Sequence, residues 1–279
     1  MHGEPVSFHG GHSGSFCNHA EDTLEDIVIA YIHAGFKVVG ITEHMPAVQE
    51  KYMYPDEREA GMTVETLHAR FSAYFQECVR LKKKFADQIA IHIGFETEMY
   101  SGSIDYILTM LKTHSPEYMV GSLHHVDDMM IDISHQLYQK AVEAAGGLVN
   151  LYCRYFDQQL ELIKAIKPDV IGHFDLIRLF DSDYLKTLKH PKVNEKIERN
   201  LLIIKEKDLI LDLNLAGFDK PANEQYPSIQ ILKRAVDLGI NIAPGDDSHG
   251  VSTVGRHFKK GMSILNRLGG QVNYTRLLV

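Results

Sequence analysis

The sequence predicts an α/β fold whose parallel sheet closes into a barrel. Two observations predict it. Short β-branched runs alternate with amphipathic helical patterns in about seven strand–helix units, the order that sets strands side by side with helices outside them. The units are evenly spaced, which favours a closed barrel over an open, doubly wound sheet. A third observation sets the organisation. No internal repeat, low-complexity tract or composition break divides residues 1–279, so a single domain is expected.

Taken in order, Val6-Ser7-Phe8 reads as the first strand. It leads into His9-Gly10-Gly11-His12-Ser13-Gly14-Ser15-Phe16-Cys17-Asn18-His19, with three histidines in eleven residues. Side chains three apart on a strand point to opposite faces, so the backbone must turn between His9 and His12 for both rings to share a ligand. Gly10 and Gly11 tolerate the dihedrals such a turn needs. Thr23 to Ala34 has an apolar face at helical spacing, with Asp22 or Thr23 as cap and Gly35 as its end. Phe36 to Thr42 is a β-branched run followed by Glu43-His44 and stopped by Pro46. Residues 47 to 62 read as a long loop, suited to a lid or rim.

Val64 to Phe85 is a long amphipathic helix ending in three lysines, which suit a helix C-terminus. Ile89 to Phe95 is strand-like, with Glu96 at its end. Ile104 to Thr113 is helical. Tyr118 to Leu123 runs as a strand into His124-His125, and 126 to 134 form a loop. His135 to Ala145 and Val149 to Ile166 are helices around Gly146-Gly147. Asp169 to Gly172 is a short strand followed at once by His173. An irregular stretch from Phe174 to Tyr184 carries Arg178. Helix Asn194–Lys207, strand Leu209–Leu215, helix Ser228–Leu238 and strand Ile240–Ala243 follow. Asp246-Asp247-Ser248-His249 come next, and a helix over Val254–Leu268 closes the chain.

Composition narrows the classes. Hydrophobic residues make up 44% and charged residues 24%, enough apolar content for a full core. The formal net charge of −8 argues against a surface that grips extended nucleic acid. Three widely spaced cysteines suggest reduced thiols and a cytoplasmic protein rather than a disulfide framework. No 18-residue apolar run suggests a membrane span.

The histidines supply the functional signal. His9, His12, His19, His44, Glu96, His124, His173, Asp247 and His249 each lie at, or a few residues past, the C-terminal end of a predicted strand. In an α/β barrel those ends share one face, where catalytic residues collect. A structural zinc site closes with four ligands and a catalytic one takes about three, so these nine groups point to two or three metals. His125 and Asp246 are the alternatives to their neighbours. Asp212 and Asn214 either line the pocket, or Asp212 is held by a backbone cap. His33, His68, His114, His135, His190 and His257 lack strand-end placement and read as surface or packing residues, and His92 as a mid-strand residue.

Read together, the ordered motifs resemble the PHP (polymerase and histidinol phosphatase) superfamily. They are His9-x-x-His12 with His19, Gly40-Ile41-Thr42-Glu43-His44, Ile93-Gly94-Phe95-Glu96, Gly121-Ser122-Leu123-His124, Ile171-Gly172-His173 and Gly245-Asp246-Asp247-Ser248-His249. Gly172 through Arg178 and the Asp-x-His pair are most similar to its histidinol-phosphatase branch. The resemblance implies a distorted (β/α)7 TIM-like barrel with a trinuclear centre. One metal would take His9, His12, Glu96 and Asp247. A second would share Glu96 and take His124 and His173, and a third would take His19, His44 and His249. Zinc, manganese and iron all suit the ligand set. The family usually opens His-x-His, and this chain departs from that with His9-Gly10-Gly11-His12.

The implied activity is phosphomonoester hydrolysis, with L-histidinol phosphate as the expected substrate and histidine biosynthesis as its setting. A metal-bound hydroxide would attack phosphorus, with Glu96, Asp247 and Arg178 as the catalytic set. Arg178 would also grip the phosphate in a bidentate fork, and Glu43 would meet a cationic part of the substrate. Three divalent cations against two ligand carboxylates leave a site of about +4, attractive to a phosphate dianion. A phosphodiesterase or nuclease acting on a small nucleotide is the alternative. A metal-dependent amidohydrolase and a non-catalytic metal-binding barrel rank below it. The sequence does not fix the oligomeric state.

Overall fold

A computed structural model describes residues 5–278. Its elements run β1 (Val6–Ser7), α1 (Leu24–His33), β2 (Val38–His44), α2 (Pro55–Glu59), α3 (Val64–Lys84), β3 (Ala90–Glu96), α4 (Ser103–His114) and β4 (Tyr118–Gly121). They continue with β5 (His125–Val126), β6 (Met129–Met130), α5 (His135–Ala145), α6 (Leu148–Ile166), β7 (Val170–Ile171), α7 (Tyr184–Leu188) and α8 (Pro191–Glu206). The last are β8 (Ile210–Asn214), α9 (Ile229–Asp237), β9 (Asn241–Gly245) and α10 (Phe258–Arg267).

Seven strands form one parallel sheet in the order β1-β2-β3-β4-β7-β8-β9. The seam between its ends is nearly closed by two hydrogen bonds. The Phe8 N–H donates to the Pro244 carbonyl at 3.0 Å, and the Asp247 N–H to the His9 carbonyl at 2.8 Å. Every strand therefore points its C-terminal end to the same mouth, as the sequence pattern anticipates.

Local signals explain the helices. Thr23 caps α1 by accepting from the Asp26 N–H, and Leu24, Ile27, Val28 and Tyr31 form its buried face. Thr63 caps α3 the same way through Thr66, and Lys82, Lys83 and Lys84 fill its last turn, where cations suit the dipole. Two apolar layers result. The larger lies between helices and sheet. The smaller, inside the barrel, packs Val6, Phe8, Tyr118, Val120, Val170, Ile210 and Ala243. Tyr118 crosses that interior, and a Cβ at Gly40 or Gly94 would lie 2.0 Å or 2.6 Å from it. Those two positions must therefore lack a side chain for the barrel to be filled.

The rim segment after Pro46 is more ordered than the expected loop, with a 3-10 turn over Glu50–Tyr52 and the short α2. The expected loop 126–134 contains the hairpin β5–β6, turned by Asp127 and Asp128, both at positive φ. Two-residue strands are too short to leave a periodic signal. No described helix is long and apolar enough to cross a membrane, and the three cysteines are unpaired.

Candidate metal centre

Each donor is delivered to the barrel mouth by the strand before it. Register sets one pair directly. His44 and Glu96 are partners across β2 and β3, and His44 Nδ1 lies 3.0 Å from Glu96 Oε2. The glycine pair turns the first strand as required, with Gly10 and Gly11 at φ of 143° and 79°. Side chains there would strike Asp246 and Ile41 respectively. His9 and His12 consequently reach the same carboxylates. His9 Nε2 lies 3.1 Å from Glu96 Oε1, and His12 Nε2 lies 3.6 Å from Asp247 Oδ1. His124 and His173 approach Glu96 Oε1 at 3.5 Å and 3.0 Å. His249 and His44 each stack against His12, with ring centroids at 4.3 Å, and lie 5.8 Å from one another; His19 sits 5.3 Å from both of them. All nine sequence-predicted donors thus meet in one cluster.

A layer of carboxylates behind the imidazoles sets their orientation. Asp212 Oδ2 is 2.7 Å from His9 Nδ1, Glu43 Oε1 is 3.1 Å from His12 Nδ1, and Glu98 Oε1 is 2.7 Å from His124 Nδ1. Asp56 Oδ2 lies 3.2 Å from His19 Nδ1, and the Asp247 carbonyl lies 3.0 Å from His249 Nδ1. A carboxylate or carbonyl accepts, so Nδ1 of His9, His12, His19 and His249 donates and their Nε2 lone pairs are turned to the cluster, while His124 Nδ1 lies against Glu98 without a hydrogen bond.

Several of the inward atoms make no hydrogen bond within the protein. His9 Nε2, His12 Nε2, His44 Nε2 and Glu96 Oε2 are buried without hydrogen-bond partners, a cost of roughly 1–3 kcal/mol for each such group. Four donor triads lie close enough to hold an ion: His9/His12/Asp247, His9/Glu96/His173, His12/His44/His249 and Cys17/His19/His44. The nitrogen and carboxylate donors fit a borderline divalent transition metal.

Charge distribution agrees. Burial works against ionising Glu96, yet the imidazoles of His9, His124 and His44 hold it well below the ordinary carboxylate range. Asp247 is likewise depressed, with His9 and His249 overcoming burial. Burial and the neighbouring imidazoles push His12 and His249 well below their usual value. Burial opposes charge on His44 and His124 too, but Glu96 lifts the first to about 9, and Glu98 with Glu96 lifts the second to about 10.

Four residues sit elsewhere than their sequence reading suggests or leaves open. Arg178 does not line the cavity. Its Nη2 donates to the carbonyls of Glu224 at 3.1 Å and Gln225 at 2.8 Å, its Nε lies 3.2 Å from Asp175, and it packs between the rings of Tyr184 and Tyr226. Its planar fork is taken by the protein itself. Glu43 is buried under His12 as an orienting group rather than set at a substrate surface. His125 turns away from the cluster to Glu98 Oε2 at 3.3 Å. Asp246 points inward, accepting from Ser7 and Tyr31, so Asp247 is the member of that pair at the mouth.

Sequence reading missed Glu98 as an orienting group, although it stands two residues beyond Glu96, and Cys17 as a potential sulfur donor, two residues before His19. Asp212 resolves to the orienting role, also accepting from the His173 N–H at 3.2 Å.

The cluster forms the floor of a cavity of about 430 Å³, whose walls include Tyr54, Asp56, Asp132, Ile133, Leu176, Leu179, Lys220 and Tyr226. That volume suits a small molecule.

Comparison with known proteins converges. A probable histidinol-phosphatase of Schizosaccharomyces pombe is 37% identical over 269 residues, covering 95% of this chain and 87% of the relative. The solved structure of a Listeria monocytogenes protein assigned as a histidinol phosphatase superposes with a TM-score of 0.81 at 29% identity, covering 92% of this chain and 99% of that one. The histidinol phosphate phosphatase of Lactococcus lactis, crystallised with zinc, L-histidinol and phosphate, has the same fold, with a TM-score of 0.72 at 21% identity and coverage of 96% and 95%. Residues 10–216 match the PHP domain. The chain belongs to the PHP domain family.

Proposed function

We propose that this protein is a metal-dependent phosphomonoesterase that hydrolyses L-histidinol phosphate to L-histidinol and phosphate. The observation that carries the reading is the cluster of orphaned imidazole nitrogens and carboxylate oxygens at the floor of a cavity sized for a small ester. The name and extent of the Schizosaccharomyces pombe relative support the substrate. The three unpaired thiols suit a reducing, cytoplasmic compartment.

The donors suggest three metal positions: His9, His12, Glu96 and Asp247; Glu96, His124 and His173; and His19, His44 and His249. The His9/His12/Asp247 and His9/Glu96/His173 triads support the first two positions. His12 or Cys17 stands near the third. Electrostatics favours three ions over two. Counting the orienting carboxylates Glu43, Glu98, Asp212 and Asp56, the centre falls from about +4 to about 0 with three divalent ions, and to about −2 with two. A negative centre would repel a phosphate dianion. Zinc is the ion held by the Lactococcus lactis protein, and manganese and iron remain the alternatives for this one.

When bound, the metals supply positive charge to the phosphoryl oxygens and acidify a water. The chain supplies the rest. Asp212, Glu43 and Glu98 fix the imidazoles so that no reorganisation is needed as charge develops. Among the described residues Lys220 is the one lysine or arginine on the cavity wall, and its ammonium takes the phosphate-positioning role first expected of Arg178. The test is phosphate release from L-histidinol phosphate by zinc-loaded protein, set beside a mononucleotide and a dinucleotide. Turnover of the dinucleotide with none of histidinol phosphate would overturn the reading.

A further inference from the structure

The cavity has a second polar feature beside the donor cluster, near His124. Five carboxylates line it: Asp56, Glu59, Glu96, Asp132 and Asp247. Glu96 and Asp247 face the imidazoles, Asp56 is engaged by His19, and Glu59 is exposed. Asp132 differs from all of these. It is half-buried between β6 and α5, and its Oδ1 is buried without a hydrogen-bond partner. No arginine or lysine pairs with it among the described residues. Its position is fixed by the preceding residue, since the Ile131 N–H donates to the His124 carbonyl at 3.0 Å.

A carboxylate drawn partly out of water and left unpaired is unfavourable until a cation arrives. The surrounding wall says what kind. Ile133, Leu176 and Leu179 give the same cavity an apolar side, so the cation must belong to an organic body rather than to a hydrated ion.

We infer that Asp132 is the subsite for the substrate's ammonium group, making the enzyme selective for phosphomonoesters that carry an amine near the ester oxygen. The inference deepens the phosphomonoesterase reading and rests on it. The phosphate meets the metal floor, the carbon skeleton lies on Ile133, Leu176 and Leu179, and the ammonium pairs with Asp132. In L-histidinol phosphate the amine is one carbon from the esterified CH₂, whereas the imidazole is only partly protonated at neutral pH. The ammonium, protonated at neutral pH, is therefore the group assigned to Asp132.

The experiment compares zinc-loaded wild type with Asp132→Asn, a near-isosteric change that keeps the volume and removes the charge. Substrates are a 2-aminoalkyl phosphate, the matching alkyl phosphate without nitrogen, and L-histidinol phosphate. Wild type is expected to favour the amine by about 10- to 100-fold in kcat/KM, the scale of a charge-assisted hydrogen bond. Asp132→Asn should erase that preference through KM, leaving the amine-free ester unchanged. Asp132→Glu should restore part of it. Zinc content and Tm measured on each variant separate a folding defect from a binding one. A preference that survives Asp132→Asn, that never existed, or a loss of kcat on both esters overturns the assignment. Failure on L-histidinol phosphate with the amine preference intact would overturn the named substrate and leave Asp132 in its role. No turnover of any ester overturns both.

Discussion

His173 and Asp175 are two residues apart, and both are buried, yet they belong to opposite kinds of polar interior. His173 faces a cluster in which His9 Nε2, His12 Nε2, His44 Nε2 and Glu96 Oε2 lack hydrogen-bond partners. Asp175 belongs to a charge-paired nest: Arg178 beside its carboxylate, the Ser228 N–H donating to its Oδ2 at 3.0 Å, and two tyrosine rings enclosing the guanidinium, although Asp175 Oδ1 and Arg178 Nε also lack a hydrogen-bond partner. Burial and charge alone do not distinguish a working site from a structural one. What separates them is the charge partner: Asp175 has a permanent cation 3.2 Å away, whereas the carboxylates of the cluster are paired with imidazoles alone. An arginine beside a histidine motif invites a phosphate-binding role from sequence, and only the partner inventory removes it.

That comparison can be broken at several points. Removing metal from the first region has the largest expected effect. A chelator should abolish phosphate release, and zinc should restore it with a higher Tm, because an ion that binds only the folded state stabilises it. Activity that persists in metal-free protein would end the distinction. His9→Ala should cost about 10³-fold in kcat/KM, as expected when a metal contribution of several kcal/mol is lost. Its zinc content should fall with it.

Asp212→Asn touches no ion in the proposed scheme, yet should weaken zinc affinity or activity by about 10- to 100-fold, since it releases the His9 ring. Acid should act in the same direction. Ligand imidazoles must be unprotonated, and without metal His44 and His124 hold protons up to about 9 and about 10, so zinc affinity should fall as pH drops below about 10 and keep falling below 7, by about tenfold per unit for each proton displaced. A flat zinc affinity between pH 7 and 5 would contradict it. Arg178→Met should do the reverse of His9→Ala. Stability should fall by about 3–5 kcal/mol in a denaturant titration, because Asp175 is left buried and unpaired. Turnover per folded molecule should stay within about threefold, the scatter of a residue that touches no substrate.

The sequence carried the architecture well because strand ends and ligand types coincide. A parallel barrel must present its strand termini together, so His44, Glu96, His124 and His173 announced one face before any coordinates. The orienting carboxylates were harder. Glu98 and Asp212 look like ordinary acids until the ring each one holds is located, and that ring lies 26 or more residues away. Arg178 and Glu43 sat in the right neighbourhood on the wrong layer, one side chain's depth behind the cavity wall. Periodicity reports which face a residue occupies but not whether another side chain has reached its charge first. Asp132 had no motif at all, and its interest comes from a partner that is missing.

The seam of the barrel has a bearing on how the protein is made. Its first strand is joined to its last by two hydrogen bonds, and the donors of the first triad come from both sides of that join: His9 and His12 from one end of the chain, Asp247 from the other. During synthesis β1 must wait, that edge unpaired, until β9 has emerged. An ion captured across the gap would act as a clasp, so the last event of folding and the first moment of competence coincide.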